Sequence, residues 1–85
     1  MPYRIKISKG AARDLGALPA NTLRRVNERI VALAERPRPD GVKKLSGMND
    51  LYRIRVGDYR VIYEIQDAAL VVIIIQARHR GEADR

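Results

Sequence analysis

Apolar and polar residues alternate from Tyr3 to Ser8, with Tyr3, Ile5 and Ile7 set against Arg4, Lys6 and Ser8. This period of two predicts a half-buried strand with a basic outer face. Ser8 is placed to cap a helix, because its hydroxyl can accept a free amide of the first turn. That helix runs roughly from Lys9 to Leu18, with Ala11, Ala12, Leu15 and Leu18 as its apolar residues and Gly10 and Gly16 weakening it. Pro19 breaks it, and Asn21 or Thr22 caps a second helix reaching about Arg36. Leu23, Val26, Ile30 and Leu33 recur there at helical spacing as one apolar stripe, while Arg24, Arg25, Glu28, Arg29 and Glu35 form a solvated opposite face. So short a connection predicts an antiparallel helix hairpin.

Pro37-Arg38-Pro39-Asp40-Gly41 ends the helical region. Val42 to Asp50 reads as an irregular connector with Lys43 and Lys44 exposed. Three strands follow, Leu51 to Val56, Asp58 to Gln66 and Ala69 to Gln76, joined by tight turns at Gly57-Asp58 and Asp67-Ala68. Glycine in the first central position suits a type II′ turn. Leu70 to Ile75 is apolar on both faces, which predicts an interior strand covered on both sides. The tail from Ala77 to Arg85 is polar and expected to be loosely held. The order is βααβββ: an α+β fold in a single domain over residues 1–85, with a terminal antiparallel meander and a helix pair packed on one face.

The turn sets a register. With Gly57 and Asp58 as the two loop residues, Val56 faces Tyr59, Arg55 faces Arg60, Ile54 faces Val61, Arg53 faces Ile62 and Tyr52 faces Tyr63. Because side chains alternate faces, Tyr52, Ile54, Val56, Tyr59, Val61 and Tyr63 line the core, and Arg53, Arg55 and Arg60 share the other face. Like charges directly opposite are destabilising, so an anion held between the arginines is the expected reason for the pair. The planar guanidinium fork suits phosphate.

Bulk composition agrees with such a partner. Seventeen Lys and Arg against ten Asp and Glu give a formal charge of +7, a balance that favours nucleic acid, ribosome or an acidic protein. The absence of cysteine excludes disulfides and thiolate metal sites, and the single histidine, His79, argues against a His-rich metal centre. Neither a metal nor a small-molecule cofactor is expected. No apolar run approaches the ~20 residues of a membrane span, and the N-terminus lacks the apolar core of a signal peptide, so the expected location is the cytoplasm. Arg78-His79-Arg80 follows the last strand. Arg80 is expected to join the arginine cluster at the sheet rim, and His79, the one imidazole of the chain, is a candidate for proton transfer.

The run from Lys44 to Ile65, with its Lys44-Leu45-Ser46-Gly47 and the following LYRIRVGDYRVIYEI, resembles the central signature of RelE-type toxins in the RelE/ParE superfamily. His79-Arg80 resembles the family's GHR motif, and the resemblance covers nearly the whole chain. It implies a microbial-RNase-like α+β fold and a toxin that enters the ribosomal A site, against 16S rRNA, and cuts mRNA. The ribose 2′-hydroxyl attacks the adjacent phosphate and leaves a 2′,3′-cyclic phosphate and a 5′-hydroxyl. Residues matching Arg53, Arg55, Arg60 and Arg80 hold mRNA and stabilise charge, with His79 as a further catalytic candidate and Lys43, Lys44 and Arg78 as further RNA contacts. A cognate antitoxin is the implied protein partner.

Two departures from the family pattern stand out. Some relatives carry lysine where this chain has Arg53 and Arg55, and arginine, unlike lysine, does not act as a general base. Asp84 occupies the place of a family tyrosine and cannot stack on a base. Proton transfer in this chain is therefore expected from His79 or Glu82. The competing expectations are a ParE-like poison of DNA gyrase, which needs no nuclease site, and a weakened toxin that serves mainly to bind its antitoxin.

Overall fold

The computed structural model describes residues 2–45, 47 and 50–83. Along the chain run β1 (Arg4–Ile7), α1 (Lys9–Gly16), α2 (Ala20–Ala32), β2 (Lys43–Lys44), β3 (Leu51–Val56), β4 (Tyr59–Gln66), β5 (Val71–His79) and α3 (Arg80–Ala83). The strands form one five-stranded sheet in the order β1-β5-β4-β3-β2. β1 lies parallel to β5 and the other pairs are antiparallel. The α+β class and the βααβββ frame are thus as expected, with β2 and α3 as additions.

Ser8 caps α1 as its chemistry predicts. Its Oγ accepts the Ala11 amide at 3.0 Å and donates to the Ile75 carbonyl at 3.1 Å, so one hydroxyl closes the helix and ties it to β5. α2 starts earlier than expected. Pro19 occupies the cap position without a side-chain cap bond, and Asn21 instead accepts the Thr22 amide inside the first turn. The helix also ends earlier, at Ala32, and three-residue amide bonds from Leu33, Ala34 and Glu35 tighten the exit. Pro37 disfavours helical backbone at Arg36, which explains the early stop. The predicted stripe is correct: Val26, Ile30 and Leu33 are buried and Leu23 is half-buried.

The β3–β4 register is the expected one at every pair from Tyr52↔Tyr63 to Val56↔Tyr59. Gly57 has φ +60° and Asp58 is not in the positive-φ region, as a type II′ turn requires. The second turn differs. Asp67 to Leu70 forms a longer loop closed by the Leu70 amide on the Asp67 carbonyl, with Leu70 at φ +54°, and β5 therefore starts at Val71 rather than Ala69. β5 also runs on to His79, past the expected end at Gln76. It is interior, between β1 and β4, and the two faces are covered unequally: Val72 and Ile74 are buried on the core face, while on the other face Val71 is buried and Ile73 is half-buried. The segment expected to be an irregular connector contains β2, paired to β3 as Lys43↔Arg53 and Lys44↔Tyr52. The tail is not uniformly loose, since α3 begins directly after β5 and the Arg80 amide donates to the Asp58 carbonyl at 2.8 Å.

A clasp closes the end of the sheet away from Gly57. Arg38 donates from both terminal nitrogens to the two Asp67 carboxylate oxygens, at 3.2 and 2.8 Å, and from Nε to the Tyr52 hydroxyl. The Tyr3 hydroxyl donates to Asp67 at 2.6 Å. The buried Tyr63 reaches the Pro37 carbonyl at 2.7 Å. Four separated segments are thereby joined, leaving the Gly57 end to carry the site.

Candidate functional site

The site begins with a bulge. Tyr63 pairs with Ile74, but the preceding residue Ile62 pairs with Gln76, so Ile75 is an extra residue in β5. A single insertion reverses the alternation of every side chain beyond it. Ala77 therefore turns into the core opposite Val61, and Arg78 comes to lie opposite Arg60. Arg60 in turn lies opposite Arg55. Arg55, Arg60 and Arg78 form one row across three strands, on the face away from the helices. With strands ~4.8 Å apart, the row spans roughly 10 Å. The next row inward on the same face is Lys43, Arg53, Ile62 and Gln76. Lys43, Arg55 and Arg78 are exposed, and Arg53 and Arg60 are half-buried.

Five of the residues singled out in the sequence thus share one face: Lys43, Arg53, Arg55, Arg60 and Arg78. Three do not. Lys44 pairs with the core-facing Tyr52 and so belongs to the other side of the edge strand. Arg80 is exposed at the start of α3, beside the β3–β4 turn and beyond the row. His79 pairs with Tyr59, one position further out than the arginine row and on the helix side of the sheet. Its ring meets the Tyr59 ring edge-on, with centroids 5.4 Å apart, and its Nδ1 accepts a long bond from the Gly81 amide at 3.4 Å. Glu82 falls within α3, and Asp84 lies outside the described residues.

Asp14 is a part of the site that sequence reasoning missed. Beyond Ile74, β5 has no β1 partner, and α1 covers this stretch instead. Asp14 Oδ2 accepts the Ala77 amide at 3.0 Å and Arg78 Nε at 3.3 Å. One carboxylate oxygen therefore satisfies a backbone donor and fixes the base of an arginine in the row. Arg25, on the charged face of α2, lies with its guanidinium against the turn, where a Cβ at Gly57 would come within 3.3 Å of it. Neither contact has a local sequence signal, since each depends on how the helices dock.

Three guanidinium groups in one row concentrate positive charge on this face, and guanidinium forks match the geometry of phosphate oxygens. Residues 5–84 match the family model for the ParE toxin of type II toxin–antitoxin systems, parDE. The chain belongs to this toxin family. Among its relatives, Toxin RelE of Mycobacterium tuberculosis is 34% identical, with 99% of this chain and 88% of the relative covered. The mRNA interferase toxin RelE of Escherichia coli is 27% identical, with 99% and 90% covered. The toxin in the archaeal RelE–RelB complex of Pyrococcus horikoshii superposes with a TM-score of 0.83 at 41% identity, over 95% of this chain and 98% of that one. The ParE-family frame therefore extends over the bulge, the arginine row and the hairpin together. Among the described residues, no helix is long and apolar enough to cross a membrane.

Proposed function

We propose that the protein is the toxin of a type II toxin–antitoxin pair and acts as an endoribonuclease, cutting mRNA in the ribosomal A site. The observation that carries this reading is the Arg55–Arg60–Arg78 row on the open face of the sheet. Like charges placed opposite one another cost a fold stability, and the spaced phosphates of an RNA strand would offset that cost.

In the proposed reaction the ribose 2′-oxygen attacks the adjacent phosphorus and the bond to the next residue's 5′-oxygen breaks. The products are a 2′,3′-cyclic phosphate and a 5′-hydroxyl, with the 2′-proton taken up and a proton returned to the leaving oxygen. Negative charge builds on the non-bridging oxygens, and fixed arginines facing them lower the barrier without reorganising. Arginine stays protonated and so supplies charge rather than a base. Lys43 and Arg53 extend the track by one row, and Arg80 adds positive charge beyond its end. His79 stands on the other face, and the reading does not depend on it as the proton carrier. The ribosome and its 16S rRNA are the proposed setting, because they would hold the strand in place over an open face. The named RelE–RelB complexes among the relatives support a cognate antitoxin as the protein partner, an acidic segment that covers the basic face.

The test is to express the chain from a tightly repressed promoter and map 5′ ends on a translated reporter and on a translation-blocked control. Cuts within translated codons, absent from the control and from an Arg60→Ala variant, are the expected result. The description of the matching family as ParE toxins favours one second reading, a gyrase poison. Growth arrest with intact mRNA and gyrase-dependent DNA breaks would decide for it. No arrest despite folded protein would point to a weakened toxin that mainly binds its antitoxin.

A further inference from the structure

On the helix side of the same rim lies a pocket of about 120 Å³. Ala17 and Leu18, at the end of α1, form its apolar wall. Tyr59 and His79 supply two aromatic rings at right angles, and Asp14 and Arg78 stand at its polar edge. Sites for drug-sized ligands occupy roughly 300–1,000 Å³, so this pocket suits a single ring system rather than a whole nucleotide. Its lining combines an aromatic platform, a hydrogen-bond acceptor and a guanidinium donor. A planar heterocycle with donors and acceptors along one edge satisfies all three.

The pocket is physically joined to the arginine row. Arg78 stands in register with Arg60, yet its Nε is held by Asp14, and it lines the pocket as well. His79 and Tyr59 form the row immediately outside Arg60 and Arg78. Phosphate site and ring site are therefore one residue apart along the strands, on opposite faces of the sheet. A nucleotide's own backbone-to-base reach is of that order.

We infer that this pocket binds one nucleobase of the RNA strand whose phosphates lie on the Arg55–Arg60–Arg78 row, an assignment that rests on the RNA reading above. The base is one that carries an exocyclic amine. Asp14 Oδ2 is occupied by the Ala77 amide and Arg78, while Oδ1 makes no hydrogen bond among the described residues. A carboxylate oxygen so placed accepts from an amino group, as carboxylates do from cytosine N4. Uracil has no exocyclic amine to offer it. An aromatic side chain from a protein partner is the rival occupant. It would use the rings and Leu18 but leave the paired donor and acceptor at the edge without a role.

The experiment is an NMR titration of the isotopically labelled full chain with trinucleotides that carry 2′-deoxyribose at each position and so resist cleavage. The expected result is movement of the Tyr59 and His79 ring signals together with the Arg55 and Arg60 side-chain signals. Adenine or cytosine trinucleotides should bind about tenfold tighter than the uracil one. Ala17→Phe plugs the pocket from an exposed position at the end of α1. It should abolish the ring shifts and the base preference and keep the arginine shifts. Arginine signals that move while the rings stay still would overturn the pocket and leave the RNA reading standing. Silence on both faces would overturn the pocket, and the mapping of cuts on translated mRNA would then decide the RNA reading by itself. Ring signals that respond to an antitoxin peptide but not to RNA would hand the pocket to a protein partner. The ring shifts and base preference of the unaltered chain decide the matter even if the plugged variant fails to fold.

Discussion

Arg60 lies directly opposite Arg78 across the β4–β5 ladder, and the bulge at Ile75 puts it there. Were Ile75 paired with Ile62 in a regular ladder, Arg60 would face Ala77 and the row would stop at two strands. Bulges are frequent where a sheet must re-aim side chains, and here the re-aimed side chain completes the charge track.

Relief of this repulsion should separate stability from activity. Replacing the exposed Arg55 with threonine removes one member of a like-charged pair and adds a good strand former. The expected outcome is a midpoint of thermal unfolding that is unchanged or higher, worth up to about 1 kcal/mol. RNA binding should weaken and its dependence on salt should flatten by about 0.7 in the log–log slope. A lower Tm with unaltered RNA affinity would show that Arg55 serves the fold instead.

Asp14 carries two bonds of different worth. Asp14→Asn can keep an acceptor for the buried Ala77 amide and loses only a partly exposed ion pair with Arg78, so its cost should be below about 1 kcal/mol. Asp14→Ala leaves the amide without its acceptor and should cost about 1–3 kcal/mol. Urea unfolding of the two variants checks the order, and equal losses would refute this division.

The clasp at the other end makes an acid prediction. Bonds from Arg38 and then from Tyr3 hold the Asp67 carboxyl down at about 2, below its ordinary 3.8. A depressed carboxylate stabilises the fold above the unfolded value, and that stability is lost as pH falls from about 3.8 through 2. Asp67→Asn should therefore be less stable at neutral pH and show a flatter acid limb between those values. Thermal melts from pH 7 to pH 2 would reveal it, and parallel curves for both proteins would count against the clasp.

An alkaline limb belongs to Tyr63. Burial pushes its phenol up from 10.0 to about 12. Its stabilising effect is present below pH 10 and lost as pH rises through 12. Tyr63→Phe should remove that part of the alkaline loss while also forfeiting the bond to the Pro37 carbonyl, so the variant starts from a lower stability at pH 7. Unfolding followed between pH 9 and pH 12 by far-UV circular dichroism separates the two effects.

The hairpin and its arginine pair were readable in the sequence because Gly57-Asp58 fixes the turn and apolar alternation fixes the faces. The bulge was not. Ile73, Ile74 and Ile75 are identical, so a slip within them leaves no trace in the pattern. This is why Arg78 could be noticed as a basic residue but not placed in the row, and why His79 could not be assigned to the opposite face. β2 is two residues long, too short for any periodicity to register. Asp14 is one polar residue in a short helix, and the amide it serves lies 63 positions away.

The three isoleucines also give the strand a spare residue. Deleting any one of them would let β5 pair with β4 without a bulge, and Arg78 would still stand beside Arg60 and His79 beside Tyr59. Keeping all three but pairing Ile75 with Ile62 would instead turn the imidazole among the guanidinium groups and the arginine toward Tyr59. The charged face therefore tolerates a shorter isoleucine run, and whether one isoleucine pairs or bulges decides which chemistry that face can offer.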